Sequence, residues 1–137
     1  MSSLVDSNVI IDLLDKSAGF AEWSFRQFDI LSKSGPLIIN QIAYAETASY
    51  FLDVSEFDRL MSGFNVNRDD LPWAAAGLAG LAHRDYRRSG GARDRVLPDF
   101  LMGAHAAVKG YRLLTRDARR YRSYFPELDI IAPDTHP

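Results

Sequence analysis

The chain of 137 residues contains no cysteine. That excludes disulfide staples and thiolate zinc sites together. Three histidines, His83, His105 and His136, are too scattered for a histidine-rich metal site. No apolar stretch approaches the roughly 18 residues a spanning helix needs. The opening MSSLVDSNVIIDLLD lacks a basic n-region and carries acids inside its apolar run, unlike an export signal. A cytoplasmic protein with no membrane partner is therefore expected. Internal repeats, low-complexity linkers and composition breaks are also missing. Residues 1–133 are expected to form one domain, long enough to bury a core unaided, and 134–137 a frayed tail.

What is present is ordinary in bulk and uneven in detail. Apolar residues make up 47% and charged residues 25%, as in a soluble globular protein. The net charge of -2 hides a split: residues 1–64 carry -5 and residues 65–137 carry +3. The basic excess lies in HRDYRRSGGARDR (83–95) and RDARRYR (116–122). Such arginine clusters suit a phosphate backbone, and they equally suit solvated helix faces.

Short apolar triplets alternate with helical periodicity. Strands are expected at 3–5, 37–39, 111–115 and 128–131, with a minor one at 64–67. A turn at 6–8 leads into a helix bearing Val9, Ile10, Leu13 and Leu14. Helices are expected over 20–34, over 41–52 capped by Asn40, from Ser55, and over 73–88 after Asp70 and Pro72. Two more follow, from Pro98 to Gly110 and over 118–124. Strands separated by helices predict an α/β fold with a parallel sheet of four or five strands. Trp23, Phe28, Tyr50, Phe51 and Trp73 are expected in the core rather than as a base-stacking platform. Ile11, Leu14, Phe20, Trp23, Tyr50 and Phe51 are either core or one wall of a groove for an amphipathic segment.

Four acids stand out by position. Asp6 and Asp117 follow strand-like runs, Glu46 sits in the helix after the second strand, and Asp99 opens a later helix. Ligands of open parallel sheets bind outside the carboxyl ends of the strands. Carboxylates gathered there repel one another unless a cation intervenes, and hard oxygens suit Mg²⁺ or Mn²⁺. Each acid alone has an ordinary explanation as turn former, cap or solvated residue. Together they favour a metal site for phosphoester hydrolysis. Arg116, beside Asp117, is a candidate phosphate contact or a surface ion pair, and Arg93 and Arg95 are candidate RNA contacts.

DSNVIIDLL, the Y-A-E helix, PDFLMGAHA and LLTRDARRY, in that order, resemble the PIN-domain nucleases, and most closely the VapC-type toxins of bacterial toxin–antitoxin pairs. The resemblance spans essentially the whole chain. It implies a PIN-like three-layer α/β/α fold and an endoribonuclease dependent on Mg²⁺ or Mn²⁺. Asp6, Glu46, Asp99 and Asp117 would be the catalytic and metal-ligating acids, with Asn8 and Thr115 as positioning groups. It also implies a homodimer and a small antitoxin partner. Asp94 is not counted among the ligands. Competing readings are a non-catalytic RNA- or protein-binding module of the same fold, and a phosphotransfer or phosphatase-like domain. The latter fits poorly, because the first strand ends in D-x-N rather than D-x-D.

Overall fold

The computed structural model describes residues 1–16, 19–91 and 96–137, so Arg93, Asp94 and Arg95 lie outside the described residues. Five short strands form one sheet: β1 (Ser3–Val5), β2 (Leu37–Ile39), β3 (Asn67–Arg68), β4 (Arg112–Leu114) and β5 (Ile130–Ile131). All pair in parallel, in the order β3-β2-β1-β4-β5. The central strands read as continuous apolar runs because a parallel sheet is covered on both faces. Leu4, Val5, Leu113 and Leu114 are fully buried.

Seven helices connect the strands among the described residues: α1 (Ser7–Leu14), α2 (Ala21–Ser32), α3 (Gln41–Ala48), α4 (Val54–Met61), α5 (Trp73–Arg88), α6 (Leu97–Lys109) and α7 (Arg119–Tyr124). None is long and apolar enough to cross a membrane. From β1 the chain steps outward through β2 to β3, then returns past β1 to β4 and β5. Right-handed crossovers therefore place the helices of the two halves on opposite faces. The strand order reverses between β1 and β4, and that switch point opens a crevice at their carboxyl ends.

Several boundaries differ from the sequence expectation, each for a local reason. Helix α1 starts at Ser7 without a preceding turn, because the Asp6 carboxylate accepts from the Ser7 N–H at 2.8 Å. Helix α3 ends at Ala48, where the Thr47 and Ala48 carbonyls accept tight-turn bonds from Tyr50 and Phe51. Asp53, rather than Ser55, caps α4. The minor strand begins only at Asn67, after a 3₁₀ turn over Ser62–Phe64 and a left-handed Asn65. Asp70 takes a bond from Gln41 Nε2, and Pro72 stands at the start of α5 in its place.

Two aromatics expected in the core are outside it: Trp73 is 94% exposed and Tyr50 72%. Trp73 sits at the first position of α5, and Tyr50 lies just past the end of α3. Trp23 and Phe28 are core residues, and Phe51 stacks on buried Phe57. The tail is tied down rather than frayed. Trp23 Nε1 donates to the His136 carbonyl at 2.6 Å, and Arg122 pairs with Asp134.

Candidate active site

Parallel pairing of β1 with β4 aligns Val5 with Leu114, so the next residues of each strand, Asp6 and Thr115, emerge side by side. Asp6 is only 5% exposed and its carboxylate has three donors. Oδ1 accepts from the Ser7 N–H, and Oδ2 accepts from Thr115 Oγ1 at 2.8 Å and Tyr121 OH at 2.9 Å. Asn8 bridges the two strand ends. Its Nδ2 donates to Thr115 Oγ1 at 3.3 Å, and its Oδ1 accepts from the Arg116 N–H at 3.1 Å. Thr115 Oγ1 also accepts from the Asp117 N–H. One hydroxyl thus fixes the loop bearing Asp117 against the carboxylate of Asp6.

Asp99 arrives from the first turn of α6, and Asp117 from the loop between β4 and α7. Asp6, Asp99 and Asp117 line one cavity of about 520 Å³ together with Asn8, Arg119, Arg120 and Tyr121. Glu46 does not line it. Its Oε1 accepts from Ser7 Oγ at 3.1 Å, so it approaches from the α3 side, one residue away from Asp6. The four acids are therefore brought to one region, three in a shared cavity and the fourth behind Ser7. Among the described residues, no three His, Cys, Asp or Glu side chains already surround a single point as a metal would require.

The electrostatics are those of crowded acids. Burial pushes the Asp6 carboxyl above its ordinary range, opposed by its bonds from Thr115 and Tyr121 and reinforced by Asp99. Burial also raises Glu46, with Ser7 opposing and Asp6 and Asp99 adding to the shift. Asp99 is raised by burial too, against the pull of Arg120. Asp117 goes the other way, held low mainly by its hydrogen bond from Arg119. Tyr121 is held well above its ordinary value by burial and by the neighbouring charges of Asp6 and Asp99, so it stays a donor.

Arg116 does not line the cavity. Its Nε lies 3.2 Å from Oδ2 of fully buried Asp12, and its guanidinium lies over the Phe20 ring. Arg116 is thus paired with a buried carboxylate rather than in the surface ion pair offered as its alternative. His105 is fully buried, with Nδ1 3.0 Å from Asn40 Nδ2 and Nε2 3.2 Å from Asp69 Oδ2, and it does not line the cavity that Asp99 lines.

Four contributors went unassigned from sequence: Ser7, Arg119, Arg120 and Tyr121. The sequence marked the last three only collectively, as part of the basic run RDARRYR (116–122), without separating those that reach the acids from those that face solvent. Nothing in the sequence distinguishes Ser7 from an ordinary first-turn serine.

No family model and no curated protein matches the sequence. Solved structures do match in three dimensions. A chain of VapBC2 from Rickettsia felis, bound to a DNA fragment from their promoter, superposes with a TM-score of 0.74 at 16% identity, covering 96% of this chain and 98% of that one. DNA-bound VapBC from Salmonella typhimurium gives 0.70 at 18%, with 96% and 98% covered. FitAcB from Neisseria gonorrhoeae gives 0.67 at 18%, with 98% and 99% covered. Identity this low speaks for fold, and the resemblance read from the motifs points the same way: the chain has the PIN-like fold found in the VapBC and FitAB toxin–antitoxin complexes.

Proposed function

We propose that the protein is a Mg²⁺- or Mn²⁺-dependent endoribonuclease acting as the toxin of a toxin–antitoxin pair. The observation that carries this reading is that carboxylates from three separate elements line one cavity at the switch point of the sheet. Three of the four site acids are raised by burial, with charge repulsion from their neighbours adding to each shift unless Arg120 offsets it. A divalent cation relieves both causes, and an all-oxygen donor set of Asp6, Asp99, Asp117 and nearby Glu46 suits a hard ion.

When bound, such an ion lowers the pKa of a coordinated water and stabilises charge developing on the phosphate. The chain's own residues do the positioning. Thr115 and Tyr121 orient Asp6 Oδ2, and the Ser7 N–H holds Oδ1, so the carboxylate is fixed at the cavity wall. Asn8 holds the Thr115–Asp117 loop in register with α1. Arg119, with its side chain 89% exposed at the rim, is placed to meet the RNA backbone. Unstacked single-stranded or loop RNA is the form such an open cavity reaches. The antitoxin partner is supported by the fold being that of toxin–antitoxin complexes, and the homodimer is carried over from the motif resemblance.

A second reading has its own support. Arg120 already pairs with Asp99 and Arg119 with Asp117, so the cavity is partly neutralised from within, as a non-catalytic RNA-binding module would have it. Brief expression followed by sequencing of new 5′-phosphate ends separates the two, alongside cleavage of total RNA in vitro. The nuclease reading expects EDTA-sensitive cleavage restored by Mn²⁺ and reduced about a hundredfold or more in folded Asp6→Ala. Cleavage indifferent to EDTA, undiminished cleavage by that variant, or none under any metal would reject it.

A further inference from the structure

We propose that Arg120 is a displaceable internal cation: it holds Asp99 until the divalent ion binds, and then turns to the RNA phosphate. This rests on the metal-dependent reading above. The guanidinium Nη1 pairs with Asp99 Oδ2, both side chains being largely enclosed at the cavity wall, 25% and 33% exposed. Asp99 sits there against an unfavourable desolvation, with Arg120 supplying the compensating charge. A carboxylate oxygen engaged in a charge-assisted bond of this kind is not free to coordinate an ion.

The cavity holds three acids and two arginines, so an incoming divalent ion brings two arginines into repulsive proximity with itself. Arg120 is the one whose removal frees a ligand facing the enclosed part of the site. Arg119 pairs with Asp117 across a mostly exposed contact, with the two side chains 89% and 59% exposed, which water screens. Once released, Arg120 has somewhere to go. It remains in a cavity whose substrate is an anion, with its guanidinium 6.0 Å from the Tyr86 ring. The exchange would couple metal loading to phosphate capture, making Arg120 a positioning residue for both.

The test measures Mn²⁺ affinity by the loss of the free-ion electron paramagnetic resonance signal, without turnover. Wild type is compared with Arg120→Gln, Arg120→Lys, Arg119→Gln and Asp6→Ala, each checked for folding by circular dichroism. Losing the competitor should tighten Mn²⁺ binding about tenfold in Arg120→Gln. Arg120→Lys should return it toward wild type, and Arg119→Gln should change it much less. With Ca²⁺ filling the oxygen site, Arg120→Gln should bind a single-stranded RNA oligonucleotide several-fold more weakly. Unchanged or weaker Mn²⁺ binding in Arg120→Gln, an equal gain in Arg119→Gln, or unaltered RNA affinity would each overturn the exchange. If wild type and Arg120→Gln bind no more Mn²⁺ than Asp6→Ala, the metal-dependent reading fails first and the exchange falls with it.

Discussion

Asp6 ionises against burial and against the field of Asp99, and three hydrogen-bond donors make up only part of that cost. For an acid whose folded pKa is raised, the native state holds its proton more tightly than the unfolded chain. Stability therefore falls as pH rises through the folded value, and the ionised site is a net burden at neutral pH. Asp6→Asn removes the charge while keeping an oxygen to accept from Ser7; the Tyr121 hydroxyl can reverse to accept from the new amide, and the Thr115 hydroxyl, which already accepts from Asn8 and the Asp117 N–H, can donate to the Asp117 carbonyl at 3.3 Å. The metal-free variant should melt a few degrees above wild type, at about 3–5 °C per kcal/mol for a domain of this size. Mn²⁺ should raise the melting temperature of wild type by mass action and leave that of Asp6→Asn almost unmoved. Differential scanning calorimetry of both proteins with and without Mn²⁺ decides it; a variant that melts lower and still responds to Mn²⁺ contradicts the assignment. At this scale the sequence was informative for acids and poor for their partners. Asp6 and Asp117 could be located because strand ends are readable from apolar triplets. Ser7, Arg120 and Arg116 could not be sorted, since which carboxylate an arginine meets depends on distances across the fold.

Elements were legible where chemistry at their ends is explicit. Asn40 caps α3 by accepting from Ala43, and Gly110 closes α6 at a φ of 69° that favours glycine. They were illegible where tight-turn bonds shorten them, as at the end of α3, or where a competing cap is available, as with Asp53 before α4. The junction of β2, β3 and α6 is held by a polar cluster that periodicity alone does not reveal. His105 of α6 faces Asn40, Asp69, Lys109 and Tyr111, and Asp69 also accepts from Tyr111 OH at 2.7 Å. Burial lowers the His105 pKa below its ordinary value of 6.5, with Asp69 opposing. Tyr111 is pushed up to about 12 by burial and Asp69, and so remains a donor throughout the accessible range. A base with a lowered folded pKa contributes fully above its unfolded value, and that contribution is lost as pH falls from 6.5 through the folded value. Urea midpoints should accordingly drop between pH 7.5 and 5.5 in wild type. His105→Gln, which can still reach Asp69 but does not titrate, should flatten that slope. An equally steep slope in the variant would place the dependence elsewhere. Asp69 itself is held low, chiefly by Tyr111, so its own loss of stability begins at more acid pH and does not confuse this window.

For the molecule as a whole, the charge asymmetry visible in the sequence takes on a direction. The acidic N-terminal half supplies Asp6 to the cavity and Glu46 beside it, and the basic C-terminal half brings Asp99, Asp117 and the α7 residues Arg119 and Arg120 to the same cavity. A negative pocket edged by guanidinium groups admits both a cation and a polyanion. RNA affinity should then weaken steeply with salt, because each phosphate neutralised by an arginine releases condensed counterions. The slope of log affinity against log salt, measured by fluorescence anisotropy with Ca²⁺ present to prevent turnover, counts those contacts. Arg119→Gln should make the slope shallower by about 0.7, the value for one contact on a single strand, and weaken binding without regard to sequence. Arg116→Gln should leave the slope unchanged, since that guanidinium belongs to Asp12 and Phe20 and not to the cavity. The reverse pattern, with Arg116 altering the slope and Arg119 silent, would mean that RNA crosses the α1–α2 side of the molecule and that the acids at the switch point face something else.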